Sequence, residues 1–225
     1  AQWADDKQAS IKAWTQSGIN VPRTRLITVA DASTVRAWLD SYGALVVKPN
    51  SASDGRGVAY LHTPEDWLTY AKKQNEQNDL LLQVRRDRVF FKDRERGSLH
   101  TLAVRVHVAR CDDSRRADSH YVQLGAHVHA PASRARGGRI VPAADIKDQL
   151  VYRQEGKWRP IELNSSFWDD TFDCAERAAS VFPDLALVGL DFVIDMKGLR
   201  PTAIPIEANP RPAGFCHARR TSDER

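Results

Sequence analysis

Cysteine is scarce here: Cys111, Cys174 and Cys216 are three in number, far apart and never in a C-x-x-C spacing. An odd, dispersed set builds neither a disulfide framework nor a zinc site, so a reducing, cytoplasmic setting fits best. No apolar run approaches the roughly 18 residues that a membrane helix needs. The first residues do not read as a charged-then-apolar leader. A soluble protein with no membrane partner is expected. Nothing suggests a Ser-His-Asp nucleophilic set, and the glycines fit neither the Walker A pattern nor the dinucleotide G-x-G-x-x-G. Basic runs exist, but without interleaved aromatics of the RNA-recognition kind, which makes nucleic acid the weaker partner class.

What is present is ample apolar content, 42% of 225 residues, enough for one large domain or two lobes. The formal net charge is +4, with Arg concentrated in Arg85-Arg86-Asp87-Arg88, Lys92 to Arg96, Arg115-Arg116 and Ser133 to Arg139. Such runs are ordinarily a solvated face, and they also suit nucleotide phosphates or a nucleic-acid backbone. The chain opens on Ala1 rather than Met, which suggests a fragment or a processed chain, with an N-terminal domain expected elsewhere. Homo-oligomerisation stays open.

In chain order, a helix is expected over about 5–17, a strand over Arg23 to Val29, and a second helix from the Asp31-Ala32-Ser33 cap to Tyr42-Gly43. Ala44 to Lys48 reads as a buried strand whose last residue emerges at an edge. A third helix opens at Thr63-Pro64-Glu65 and runs to about Asn78, followed by a strand over Asp79 to Val84. Residues 1–84 thus read as a compact α+β lobe. Residues 85–225 change character: Thr101 to Ala109, Tyr121 to His129 and Lys157 to Leu163 favour strands of an antiparallel sheet, and Asp169 to Phe182 is an amphipathic helix. Alternation puts Arg105 and His107 on one face of their strand. His127 and His129, with His107 or His120, offer a metal cluster on paper, but paired or exposed sheet histidines are the simpler reading.

Two stretches carry chemistry. Lys48-Pro-Asn-Ser-Ala-Ser-Asp-Gly-Arg-Gly-Val58 joins two strands through small residues. Such a loop brings backbone N–H groups close to phosphate oxygens, with Ser51 and Ser53 as further donors, although an ordinary turn has the same composition. The other is a hairpin over Val188 to Gly214. If its turn centres near Leu199, Asp191 and Glu207 are cross-strand neighbours, and the strand period puts Asn209 on the same face as Glu207. Three oxygen ligands then converge, a set suited to Mg2+ completed by substrate phosphates. Acids that merely face solvent are the alternative.

The order of these features resembles the ATP-grasp superfamily of the carboxylate–amine ligase type. The resemblance lies in Asp6-Lys7 with Gly-Ile-Asn-Val-Pro22 after it, Val-Val-Lys48-Pro with the loop to Gly57-Val58, Leu-Leu-Gln83-Val and Val-Arg105-Val. It is completed by Gly-Leu-Asp191-Phe-Val-Ile-Asp and Ile-Glu207-Ala-Asn209-Pro-Arg211-Pro. It implies an ATP-grasp fold: two α+β lobes with ATP between them, the usual leading α/β domain not being in evidence. Lys7 and Lys48 would reach the phosphates, with Ser51, Ser53, Gly55 and Gly57 covering them. Gln83 and Val84 would lie in the adenine pocket, Gln83 replacing an acid, with backbone groups of the next two residues reading the base edge. Asp191, Glu207 and Asn209 would be ligands of Mg2+, or alternatively Mn2+. Arg105, Arg139 and Arg211 would orient a substrate carboxylate and the transferred phosphoryl group. Asp87 is a candidate ribose-binding acid.

The chemistry implied is attack of a carboxylate on the γ-phosphate to give an acylphosphate and ADP, then displacement of phosphate by an amine. Carboxylate and amine substrates, small molecules or a peptide, are the partners implied. Carboxylase-type or kinase-type ATP-grasp chemistry is the first alternative, since Asn-Pro-Arg-Pro resembles tails in more than one branch. A non-catalytic ATP-binding or RNA-binding module is the second.

Overall fold

The computed structural model describes residues 6–74, 79–212 and 218–220. Helix α1 (Lys7–Gln16) begins where the Asp6 carboxylate accepts from the Ala9 N–H at 3.0 Å, satisfying one of the donors that a helix start leaves unpaired. Then come β1 (Thr24–Ile27), α2 (Ala32–Tyr42), β2 (Leu45–Pro49) and β3 (Ala59–Leu61). α3 (Pro64–Ala71) starts on a full capping box, with Asp66 accepting from the Thr63 N–H at 2.9 Å and the Thr63 hydroxyl accepting from the Asp66 N–H. β4 (Leu80–Val84) completes an antiparallel sheet of order β1-β4-β2-β3.

Period-two alternation gives this sheet two different faces. Leu80 and Leu82 pack with Ile27, Leu39, Leu45, Val47, Leu61 and Trp67 under α2 and α3. The opposite face carries a cross-strand row, Thr24, Gln83, Val46 and Tyr60, and beside it Lys48 paired with Leu81. It is this second face that looks into the cleft described below.

The rest of the chain forms β5 (Val89–Lys92), β6 (Leu99–His100), β7 (Leu102–Cys111), β8 (Ser114–Leu124), β9 (Arg139–Val141), β10 (Leu150–Gln154) and β11 (Lys157–Pro160). These are followed by α4 (Ser165–Ser180), β12 (Leu187–Lys197), β13 (Arg200–Asn209) and β14 (Arg219–Arg220). A four-stranded sheet runs β11-β10-β5-β6; a six-stranded one runs β13-β12-β7-β8-β14, with β9 also on β8. Val104, Val106 and Val108 of β7 and Leu190 and Phe192 of β12 bury against Phe172 and Ala175 of α4 in one large apolar core.

Helix α1 belongs to that second core, although it lies within the first 84 residues. Ile11, Trp14 and Ile19 pack there. The fully buried Trp14 meets Phe182 edge-on at 6.1 Å and donates its indole N–H to the Ala178 carbonyl at 2.9 Å. Other boundaries move for local reasons. β8 ends at Leu124, because Gly125 turns away and donates to the Thr101 carbonyl at 2.9 Å, so His127 and His129 lie in a loop. α4 starts before Asp169, since Asn164 caps it by accepting from the Phe167 N–H at 3.1 Å. α3 stops at Ala71, and the remainder of its expected course includes 75–78, outside the described residues, as are Gly214 and Cys216. Among the described residues no helix is long and apolar enough to cross a membrane.

Replacing Trp14 by Phe leaves the Ala178 carbonyl without its buried donor. We expect Trp14→Phe to lower unfolding free energy by about 1–3 kcal/mol, read from the urea midpoint at unchanged slope.

Candidate active site

A cleft of about 390 Å³ separates this second face of the small sheet from the six-stranded sheet. One part of its wall is largely apolar, with Val46, Tyr60, Val84, Leu102 and Ile206 around Gln83. The other is charged, with Lys48, Arg105, Asp191, Glu207, Asn209 and Arg211.

The charged part is built by the β12–β13 hairpin. Asp191 stands opposite Glu207 and Gly189 opposite Asn209, with a register shift between Asp191 and Phe192. Ile206 is the extra residue of that bulge, so its carbonyl falls out of the ladder pairing and accepts instead from the Lys48 ammonium at 3.1 Å. Arg105, on β7, is the other register partner of Asp191. Its guanidinium grips both carboxylate oxygens, one through Nε and the other through a terminal nitrogen at 2.7 Å. Gln123 donates to Asp191 at 3.4 Å and Asn209 at 3.3 Å. A Cβ on Gly189 would lie 2.7 Å from the Pro212 Cβ and 3.2 Å from the Arg105 Cδ, so the bare glycine is what lets the arginine lie across the strand.

Burial sets the electrostatics. Lys48 is 4% exposed, and loss of water pushes its pKa down to about 8 against the opposing pull of Glu207. Burial likewise raises the Glu207 carboxyl, opposed by Lys7, whose ammonium lies 3.5 Å away, and by Lys48. Arg105 loses water too, but the adjacent Asp191 charge outweighs that loss and holds its pKa above the ordinary value. Lys7 also donates to the carbonyls of Asn50 and Ala52, tying the start of the Ser/Gly loop to α1. Farther along that loop the Ser133 hydroxyl donates to the Asp54 carbonyl at 3.1 Å, and Gly55 packs close against Pro131 and Ser133.

No family model and no curated protein matches the sequence. Solved structures do. The N5-carboxyaminoimidazole synthase of Aspergillus clavatus, solved with ADP and 5-aminoimidazole ribonucleotide, superposes with a TM-score of 0.63 at 10% identity over 96% of this chain and 47% of that one. The L-amino acid ligase of Bacillus licheniformis gives 0.60 at 14% identity, over 95% of this chain and 42% of its own. The ATP-grasp ligase PsnB, solved with Mg and ADP, gives 0.57 at 18%, over 96% and 53%. The chain has the ATP-grasp fold. It spans about half the length of these solved structures.

The ATP-grasp cleft brings together Lys48, Ser53, Gly55, Gln83, Val84, Arg105, Arg211, Asp191, Glu207 and Asn209, with Lys7 just behind Glu207. Other expected residues lie elsewhere. Ser51 is exposed and off the cleft wall. Gly57 serves a turn: its carbonyl accepts from the Tyr70 hydroxyl at 2.8 Å, and a Cβ would strike Pro49 at 2.7 Å. Arg139 is turned away from the cleft, 3.3 Å from Asp93 and 5.3 Å over the Phe91 ring, because β9 runs along β8 beside the β5–β6 turn. The Val84 N–H donates to the Arg23 carbonyl at 2.9 Å and the Arg85 N–H to the Ala44 carbonyl at 3.0 Å, so these two donors are committed to the protein rather than to a base. Asp87, the candidate for ribose, does line the cleft, but its two oxygens are held by Arg85 at 2.7 and 3.0 Å, and burial raises its pKa against that pairing. The sequence reading missed Gln123, although its alternation with Tyr121 places it on the face of Arg105. It also missed Tyr60 and Thr101, which line the cleft with no pattern to flag them, and it read Arg86 only as part of a basic run.

A hard divalent cation fits the donor set at the hairpin: two carboxylates and one amide, all oxygen donors on neighbouring positions of one sheet, beside three cations that suit phosphate. Among the described residues no group of three or more His, Cys, Asp or Glu is arranged for a metal, so the set depends on the Asn209 amide as its third member.

The Lys48 shift fixes a pH dependence of stability. The unfolded lysine has its pKa near 10.5 and the folded one at about 8, so between these values the unfolded chain holds more protons and unfolding free energy rises with pH. The stability of the wild type relative to Lys48→Met should therefore climb from pH 8 to 10. A flat or falling difference in denaturant midpoints contradicts this.

Proposed function

We propose that the chain forms the nucleotide and phosphoryl-transfer site of an ATP-dependent carboxylate–amine ligase. The observation that carries this is the cleft itself: Val46, Tyr60, Val84 and Leu102 stand around the buried Gln83 amide, a setting suited to a base, and the same cleft holds the buried Lys48, the largely buried Arg105 and the exposed Arg211 around two carboxylates. Base and polyphosphate have that same succession of character. Solved structures of the same fold include an L-amino acid ligase, a synthase complexed with ATP and an ATP-grasp ligase complexed with Mg and ADP, which supports ATP use at this site.

In this reading ATP lies with its base over Val46, Tyr60 and Gln83. Lys48 and Lys7 take phosphate oxygens, replacing part of the pairing they have with Glu207. Asp191, Glu207 and Asn209 would hold Mg2+, or Mn2+ in its place, which when bound neutralises phosphate charge. Arg105 and Arg211 stand beside the phosphoryl group and orient the attacking carboxylate. An oxygen of that carboxylate bonds to the γ-phosphorus as the bond to the β-phosphate oxygen breaks, giving acylphosphate and ADP. The amine nitrogen then bonds to the acyl carbon, phosphate leaves, and the nitrogen loses a proton. No side-chain nucleophile is called for. Catalysis lies in holding reactants in line and offsetting charge.

The test is ADP and phosphate release from Mg2+-ATP with pools of amino acids and peptides. Release that depends on an amine supports the ligase. Dependence on bicarbonate replaces it with carboxylase-type chemistry, and a phosphorylated product without amine replaces it with a kinase. Glu207→Gln removes a charge at nearly constant volume, and we expect it to lower turnover by at least about 100-fold with the fold intact by circular dichroism. Wild-type turnover in that variant sinks the assignment.

A further inference from the structure

Gln83 occupies the middle of the cleft-facing row, between Thr24 and Val46, and is 3% exposed. A primary amide has two ends of nearly equal size, one that donates and one that accepts, so packing alone does not decide which end meets a ligand. The neighbouring hydrogen bonds do decide it. The Pro22 carbonyl can only accept, and the Thr24 hydroxyl lies 2.8 Å from it, so the single hydroxyl proton is spent there. With that proton committed, the Thr24 oxygen is left as an acceptor towards Gln83, 3.0 Å away, and the atom turned to it must be Nε2. The Gln83 oxygen is therefore on the other arm of the amide. It accepts from none of the described residues, in a side chain that lines the cleft.

We infer that the Pro22 carbonyl and the Thr24 hydroxyl form a polarity relay that locks Gln83 as a hydrogen-bond acceptor, making the nucleotide site selective for 6-amino over 6-oxo purines. This rests on the nucleotide role proposed above for the apolar end of the cleft. Adenine carries an amine donor at its 6-position, where guanine and hypoxanthine carry an acceptor oxygen. Against a locked acceptor, a 6-oxo purine sets oxygen against oxygen in a place where Gln83 has little water to turn to. Sites built around a hydrogen bond reject analogues that leave the buried partner unpaired. Were the amide free to rotate, its NH2 end would serve a 6-oxo purine as well, and the distinction would vanish. Specificity then resides in Thr24, a positioning residue that acts through Gln83 and is not itself part of the cleft wall.

ADP and IDP differ at the 6-position and in the N1 proton that accompanies it, so calorimetric titration of the intact chain with Mg-ADP and Mg-IDP reads the effect without knowledge of the other substrates. We expect the wild type to bind Mg-ADP about 30-fold or more tightly than Mg-IDP. Thr24→Val removes the relay and should bring that ratio to within about threefold. Thr24→Ser keeps the hydroxyl and should keep the wild-type ratio. In a Gln83→Leu background, which has no amide to orient, Thr24→Val should no longer move the ratio; a purely structural role for Thr24 predicts no such dependence. If wild type binds both nucleotides equally, or if Thr24→Val keeps the full ratio, the inference is overturned while the nucleotide site stands. If neither nucleotide binds to wild type, the proposed function falls and the inference with it.

Discussion

A lysine ammonium almost wholly removed from water stays charged only where its surroundings replace the lost hydration, and Lys48 is such a lysine. It lies between two apolar cores, near the end of an inner strand of the small sheet, and its replacements come from the other side of the cleft: the Ile206 carbonyl and the Glu207 charge. Much else in the hairpin follows from meeting that demand. The bulge frees the carbonyl, the cross-strand register puts Glu207 beside Asp191, and Asp191 in turn neutralises Arg105. Apolar contact joins the lobes at α1 and Leu81, whereas at the cleft they are held by charges, and charges can be handed to a ligand. At the hairpin end Lys7, Lys48, Arg105 and Arg211 stand against Asp191 and Glu207, a balance that favours an incoming polyanion.

Helix α1 connects this seam to the large core. Its body is anchored by Trp14, whereas its first residues are engaged with the small lobe: Asp6 accepts from the Asn50 amide at 3.0 Å while the Asn50 oxygen accepts from the Gln8 N–H at 2.9 Å. Asn50 therefore acts as a second cap on the helix, and Lys7 is delivered to the cleft by the same turn. The Ser/Gly loop is in consequence fixed at its start and held near its middle by Ser133. The loop is thus positioned from the large lobe at two points, rather than being a free flap of the small one.

The hairpin shows both how much the sequence reveals and where it stops. A turn read as centred near Leu199 pairs Asp191 with Glu207, and they are paired. Yet the observed turn joins Lys197 to Arg200, and that register carried back would set Asp191 against Ile206 and point Glu207 to the opposite face. The one-residue bulge restores the pairing. Nothing in Ile204-Pro205-Ile206 announces a bulge apart from the proline, which cannot donate to a ladder. Arg139 illustrates the opposite case. The resemblance implied that it orients substrate, but the partner that decides its direction, Asp93, is forty-six residues away in a turn whose placement depends on how two sheets pack. Short-range periodicity specified faces and caps well; it had no access to contacts that arise only from sheet-on-sheet geometry, and α1, helical as expected, joined the far core for the same reason.

Arg105 carries the sharpest constraint on the proposed chemistry. Its guanidinium holds both oxygens of Asp191, and with Gln123 and Asn209 each donating to one of them the lone pairs of that carboxylate are all taken, none being left for a metal. On the proposed reading the conflict is resolved by the substrate: phosphate oxygens offer a planar guanidinium a bidentate partner equal to the carboxylate. Engagement of phosphate by Arg105 and release of Asp191 are then a single exchange, made along an arm that Gly189 leaves unobstructed. Gln123 and Asn209, each already donating to Asp191, hold the carboxylate in place during that exchange, so the arginine moves and the acid does not. A site organised in this way keeps its charges compensated when empty and re-partners them when full. That is how a cleft with so many buried ions can stand between two cores without collapsing.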